Sequence, residues 1–188
     1  MWWAPSPPCE DWLMHHGIKG QKWGVRNGPP YPLKGFKSPQ ELSAYMRNFK
    51  YREFTTLKSP DEVGRTKSGS CHDQVMYELQ QLRRMGLNPK AKFLMEIADN
   101  GQGGMTHSFV YWAAAGKINY LENAWGGREG IRQYDSIDQL ENAFRRAHQN
   151  GSFGNRSRGY TNLEFGDFND SEHRIGEDLQ ELVDKCLK

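Results

Sequence analysis

Lys67-Ser68-Gly69-Ser70-Cys71-His72-Asp73-Gln74 is the stretch that decides how this chain is read. A glycine and two serines lead to a cysteine, and a helical pattern starts at once. Val75, Met76, Leu79, Leu82 and Met85 recur at three- and four-residue steps. Ser70 stands where an N-cap belongs, and Asp73 three residues on completes a capping box. Gly86 supplies the stop. Cys71 is then the first residue of the helix. Unpaired backbone N–H groups and the positive end of the helix dipole surround that position, and both favour thiolate over thiol.

Downstream of Pro89 the period changes to two. Ala91, Phe93, Met95 and Ile97 alternate against Lys90, Lys92 and Glu96, which predicts a strand. Asp99 to Gly104 reads as a surface turn, followed by a second strand from Thr106 to about Ala113. Ala115-Gly116-Lys117 turns the chain into a third strand, about Ile118 to Ala124, and Gly126-Gly127 ends it. Ile131 to Tyr134 is a short fourth strand. Ser136 caps a helix that turns Ile137, Leu140, Phe144 and Ala147 inward. Residues 151–162, rich in Gly, Ser, Arg and Asn, are expected to be mobile. A last helix over 172–187 carries Ile175, Leu179, Leu182 and Cys186 on one face, which makes Cys186 a packing residue. His72, His148 and His173 show no partner pattern and read as ordinary helix or loop residues.

Upstream, Ser38-Pro39-Gln40-Glu41 opens a helix over 38–49 with Leu42, Tyr45, Met46 and Phe49 on its apolar face. Ser59-Pro60-Asp61-Glu62 starts a short turn of helix. Residues 1–37 hold most of the prolines and no periodic apolar face. They are expected to form an extended or disordered lead segment to a domain over 38–188.

Composition narrows the classes. A chain of 188 residues, 36% hydrophobic and 26% charged, fits one domain with a modest core. A net charge of +2 argues against a nucleic-acid binder working by bulk charge. Cys9, Cys71 and Cys186 are odd in number and scattered, so no disulfide framework is visible, and the low count fits a reducing compartment. No CxxC or clustered Cys/His spacing of the zinc kind is present, and the adjacent His15 and His16 make a poor metal site on their own. The N-terminus lacks the basic start and apolar run of a secretion signal, and no run of about 18 apolar residues predicts a membrane span.

A thiolate nucleophile needs a base beside it, and the base needs an orienting acceptor. His107 opens the second strand. Glu122 and Asn123 end the third, and strand alternation sends those two to opposite faces, so only one can reach His107. A lone cysteine at a helix start is more often a packing residue, and a strand histidine more often a core histidine. It is their order and the capped helix start that point to chemistry.

That order, Cys71, His107, then Asn123 or Glu122, resembles the papain-like and transglutaminase-like thiol enzymes. Gly69-Ser70-Cys71 resembles the Gly-x-Cys that opens their nucleophile helix. Asn123-Ala124-Trp125-Gly126 is similar to the Asn-Ser-Trp-Gly that carries the orienting asparagine of papain-like peptidases, which favours Asn123. Gly130-Ile131-Arg132 is similar to the strand that follows there. The compact 36-residue spacing from Cys71 to His107 is closer to the transglutaminase-like core, which uses an acid as third member. Asn123 is taken as the residue that orients His107, with Glu122 as the alternative. The resemblance implies an α+β fold, a nucleophile helix packed on a small antiparallel sheet. It implies a thiol-dependent hydrolase or acyl transferase acting on amide bonds of a protein or peptide. A cysteine peptidase comes first, glutamine deamidation or transamidation second, and cell-wall peptide cleavage third. No metal or organic cofactor is expected. The alternative is a non-enzymatic phage structural or docking protein on a degenerate fold of this type. His15-His16-Gly17-Ile18-Lys19-Gly20-Gln21-Lys22-Trp23-Gly24-Val25-Arg26 resembles a motif of phage head-associated proteins. It implies a phage or prophage origin, a location in the virion or the host cytoplasm, and contact with a head protein through residues 15–26.

Overall fold

The computed structural model describes residues 35–53, 56–98, 103–125, 127–151 and 159–168. The expectations for residues 1–34 and for a helix over 172–187 lie outside them. The described elements run α1 (Pro39–Met46), β1 (Lys50–Tyr51), α2 (Pro60–Thr66), β2 (Ser68–Gly69), α3 (Cys71–Arg84), β3 (Lys90–Ala98), β4 (Gly103–Ala114), β5 (Lys117–Glu122), β6 (Gly130–Tyr134), α4 (Ile137–Gln149) and β7 (Tyr160–Asp167). The fold is α+β. Five strands form one antiparallel sheet in the order β6-β5-β4-β3-β7, and β1 and β2 make a separate parallel pair.

Each helix starts where its cap residue predicts. Ser38, Ser59, Ser70 and Ser136 all accept a backbone N–H three residues on. α1 ends at Met46, short of the expected 49, and Phe36 is already buried, its ring 5.3 Å from that of Tyr45. One face of the sheet gives Ala91, Val110, Trp112 and Leu121 to a core shared with Leu42, Val63, Val75, Leu79 and Leu82 of the first three helices. The opposite face gives Leu94, Phe109, Tyr120 and Leu163 to Leu140 and Phe144 of α4. Helices thus cover both faces. This is why Glu96, expected on the polar side of β3, is buried, its Oε1 3.2 Å from Nε2 of His148 on α4.

The fifth strand corrects the reading of residues 151–162 as mobile throughout. Residues 160–162 begin β7, which pairs with β3 at the sheet edge. Its period-two signal is weak, with only Leu163 and Phe165 alternating inward. Gly166 lies directly across from Phe93, and a Cβ there would meet the Phe93 ring at 2.3 Å. The glycine is required by a close approach, not by a loop.

Candidate active site

The first turn of α3 is built from buried polar groups. The Ser70 hydroxyl accepts the Asp73 N–H at 3.2 Å, and Asp73 Oδ2 accepts both the Ser70 N–H and the Ser70 hydroxyl at 3.0 Å. The other Asp73 oxygen takes the Lys58 N–H at 2.9 Å, tying the incoming chain to the cap. A Cβ on Gly69 would come within 2.7 Å of Asp73 Cβ, so the residue two before the cysteine has to be glycine for this box to close. Cys71 follows as the first helical residue, a free thiol only 4% exposed.

His107 stands on β4 with its ring edge-on to Trp125, 6.0 Å between centroids, and its side chain 12% exposed. Nε2 lies 2.8 Å from Glu122 Oε2. A carboxylate only accepts, so Nε2 carries the proton of that bond, and Nδ1 is left for the thiol. Burial alone would lower the His107 pKa. The Glu122 charge, together with hydrogen bonding to Cys71 and Glu122, more than reverses this and lifts it to about 10.

Glu122, 2% exposed on its side chain, is surrounded by donors. Besides His107 it accepts the Tyr120 hydroxyl and the backbone N–H groups of Ala124 and Trp125, at 2.8 and 2.9 Å. Burial pushes its pKa up. His107 and the hydrogen bonds, including those from Tyr120 and Trp125, outweigh burial and hold it below the usual carboxylate value. Tyr120 is itself pushed well above 10, first by burial and then by the Glu122 charge, so it stays a neutral donor.

Of the two candidates for the partner of His107, the structure brings Glu122 to the imidazole and not Asn123. Asn123 turns to the other face, where its Nδ2 donates to Gln74 Oε1 on α3. Gln74 Nε2 donates in turn to the Gly69 carbonyl at 3.0 Å. The cause is register. β4 and β5 meet through a two-residue turn, Ala115-Gly116, both at positive φ, with Ala114 paired to Lys117 and Val110 to Leu121. That pairing puts even-numbered β5 residues on the face of odd-numbered β4 residues.

Three residues of the site were not singled out for it from sequence. Tyr120 lies two residues before Glu122, and strand periodicity places the two on one face. Gln74 and Glu78 lie three and seven residues after Cys71, the spacing of one helix face. Glu78 is buried, and its pKa is raised well above 4.5, first by burial and then by Glu122. His72, read as ordinary, packs its ring 4.3 Å from that of Phe168, with Nδ1 3.5 Å from the Ser108 hydroxyl. Among the described residues no group of three or more His, Cys, Asp or Glu is arranged to hold a metal ion. Nor is any helix among them long and apolar enough to cross a membrane.

Residues 6–30 match a family described as "Family of unknown function (DUF7211)", a span that includes the His15–Arg26 string. Among curated proteins no match was found. Among solved structures the chain is similar to Legionella pneumophila LapG at a TM-score of 0.42 and 12% identity, over 78% of this chain and 71% of that one.

Proposed function

We propose that this chain is a thiol-dependent hydrolase acting at amide bonds, with Cys71 as nucleophile, His107 as acid and base, and Glu122 as the acceptor that orients the imidazole. The observation that carries the reading is the buried His107–Glu122 pair, hydrogen-bonded through Nε2 at 2.8 Å, on an imidazole that also bonds Cys71 at the start of a capped helix.

The chemistry follows from that arrangement. His107 takes the Cys71 proton, and the sulfur attacks the substrate carbonyl to form a C–S bond and an oxyanion. The Cys71 backbone N–H, which at the first helical position has no partner within the helix, stabilises that oxygen. His107 returns the proton to the nitrogen as the C–N bond breaks, leaving a thioester and an amine. A water then attacks the thioester, His107 again taking and returning a proton, and releases a carboxylic acid and the thiol.

A second reading is deamidation or acyl transfer at a glutamine side chain. It is favoured by an acid, and not an amide, standing next to the imidazole. The same thioester forms with ammonia as leaving group, and water or an amine resolves it. Residues 15–26 are proposed as a docking segment outside this chemistry.

Incubating the full chain with a peptide library and reading products by mass separates these outcomes. A backbone cut means peptide hydrolysis. A gain of about one dalton at glutamine means deamidation, and an amine adduct means transfer. Cys71→Ala abolishes whichever product appears. Product formation that persists in Cys71→Ala overturns the proposal.

A further inference from the structure

Asn123 directly follows β5, the strand that Glu122 ends, and its side chain is not the one at the imidazole. Its side-chain amide donates to Gln74 Oε1, one turn into α3 from Cys71. Gln74 is almost wholly buried, and its own N–H is held by the Gly69 carbonyl at 3.0 Å, a carbonyl that also accepts the Arg52 N–H at 3.1 Å. Three pieces of chain therefore meet through two side-chain amides: the end of β5, the first turns of α3, and the backbone just before the cysteine. A buried amide with both donor and acceptor engaged has little freedom to re-pair, since a lost partner leaves a desolvated polar atom.

We propose that Asn123 is a positioning residue for the thiol site. Bound through Gln74 to the backbone that precedes Cys71, it holds the end of β5 so that Glu122, the last residue of that strand, stays within reach of His107. The inference rests on the proposed roles of Cys71, His107 and Glu122. Asn123 works through Gln74 and contacts no reacting atom.

The test reads the pairing itself and not turnover. In the full-length protein, the His107 ring is titrated by NMR over a range that extends past its midpoint of about 10, and the iodoacetamide rate at Cys71 is followed separately from pH 5 to 8. This is done for the wild type, Asn123→Ala, Gln74→Met and the double variant. The expected result is a lower His107 midpoint and an alkylation rate at pH 6 reduced about tenfold, the loss of thiolate that accompanies a one-unit change in the paired equilibrium. Both single variants and the double variant should show the same shift, because all three break one connection. Near-UV circular dichroism establishes that packing is kept. Gln74→Met reports on the connection from the buried side should Asn123→Ala disturb the strand. Folded variants with the wild-type midpoint and rate overturn the positioning role and leave the thiol chemistry standing. A wild type whose Cys71 alkylates independently of His107 overturns both.

Discussion

His107 Nε2 and Glu122 Oε2 are 2.8 Å apart in a site where the carboxylate is bonded by four donors and the imidazole by two partners, Glu122 and Cys71. The asymmetry fixes the direction of the proton. Glu122 is solvated by the protein in its charged form, so the ring carries the N–H and the charge of the pair sits close to Cys71. Replacing the acid while keeping its shape tests this. Glu122→Gln should lower turnover by about two to four orders of magnitude, the scale seen when an orienting acid is replaced by its amide. It should also bring the His107 midpoint down towards the ordinary imidazole value. Turnover within a factor of about three of wild type would remove Glu122 from the mechanism.

The choice between Glu122 and Asn123 turned on one residue of turn length. Reading Ala115-Gly116-Lys117 as the turn pairs Ala114 with Ile118 and sends His107 to the face of Asn123. The actual two-residue turn pairs Ala114 with Lys117 and sends it to the face of Glu122. A one-residue change in register flips every side chain, so the similarity to Asn-Ser-Trp-Gly could not decide the matter. The positive φ values of Ala115 and Gly116, 52° and 73°, are the physical signal, and the sequence shows it only as a glycine at the second turn position. α3 was legible because periodicity, cap and stop all agree. β7 was not, because its inward residues number two and its glycine reads as a loop. The burial of Glu96 was hidden too, since it depends on α4 covering that face of the sheet.

Stability should carry the signature of the same pair. His107 has its folded pKa raised from 6.5 to about 10. A base with a raised pKa contributes stability that is complete below its unfolded value and is lost as pH rises through the folded one. Glu122 is lowered, so its contribution is present above about 4.5 and is lost as pH falls. The pair therefore stabilises most between those two unfolded values, and wild-type stability declines from pH 6.5 towards 10. His107→Gln should flatten that decline in urea melts taken at one-unit intervals. Parallel curves for the two proteins would mean that the imidazole is not charged in the fold.

Tyr120 should matter for the fold more than for the chemistry. Its hydroxyl is buried and donates to a charged carboxylate, a bond worth about 1.5–3 kcal/mol. Tyr120→Phe removes that donor while three remain on Glu122. The expected outcome is destabilisation in that range by denaturant titration, with turnover kept within about tenfold. Loss of turnover as large as in Glu122→Gln, with stability unchanged, would instead assign the hydroxyl a direct part in the reaction.

Glu78 tests what a second acid is doing beneath a thiol. It lies two helical turns beyond Cys71, buried, and burial and the Glu122 charge raise its pKa well above 4.5. Two ionised carboxylates in this space would repel each other, and Glu122 is the one with four donors, His107 among them. Glu78 is then the one that keeps its proton. The sign for stability is opposite to that of Glu122. Above about pH 4.5 the unfolded chain releases this proton and the folded chain holds it, so stability falls as pH rises towards the folded pKa, by at most about 1.4 kcal/mol per unit. Glu78→Gln keeps the shape and a donor but has nothing to ionise. Its stability relative to wild type should therefore grow as pH rises from about 4.5 towards neutrality. Using the difference between the two proteins cancels the His107 contribution, which slopes the same way above pH 6.5. A difference that stays constant over that range would show Glu78 to be ionised in the fold, and would require a cation near it that balances Glu122 as well.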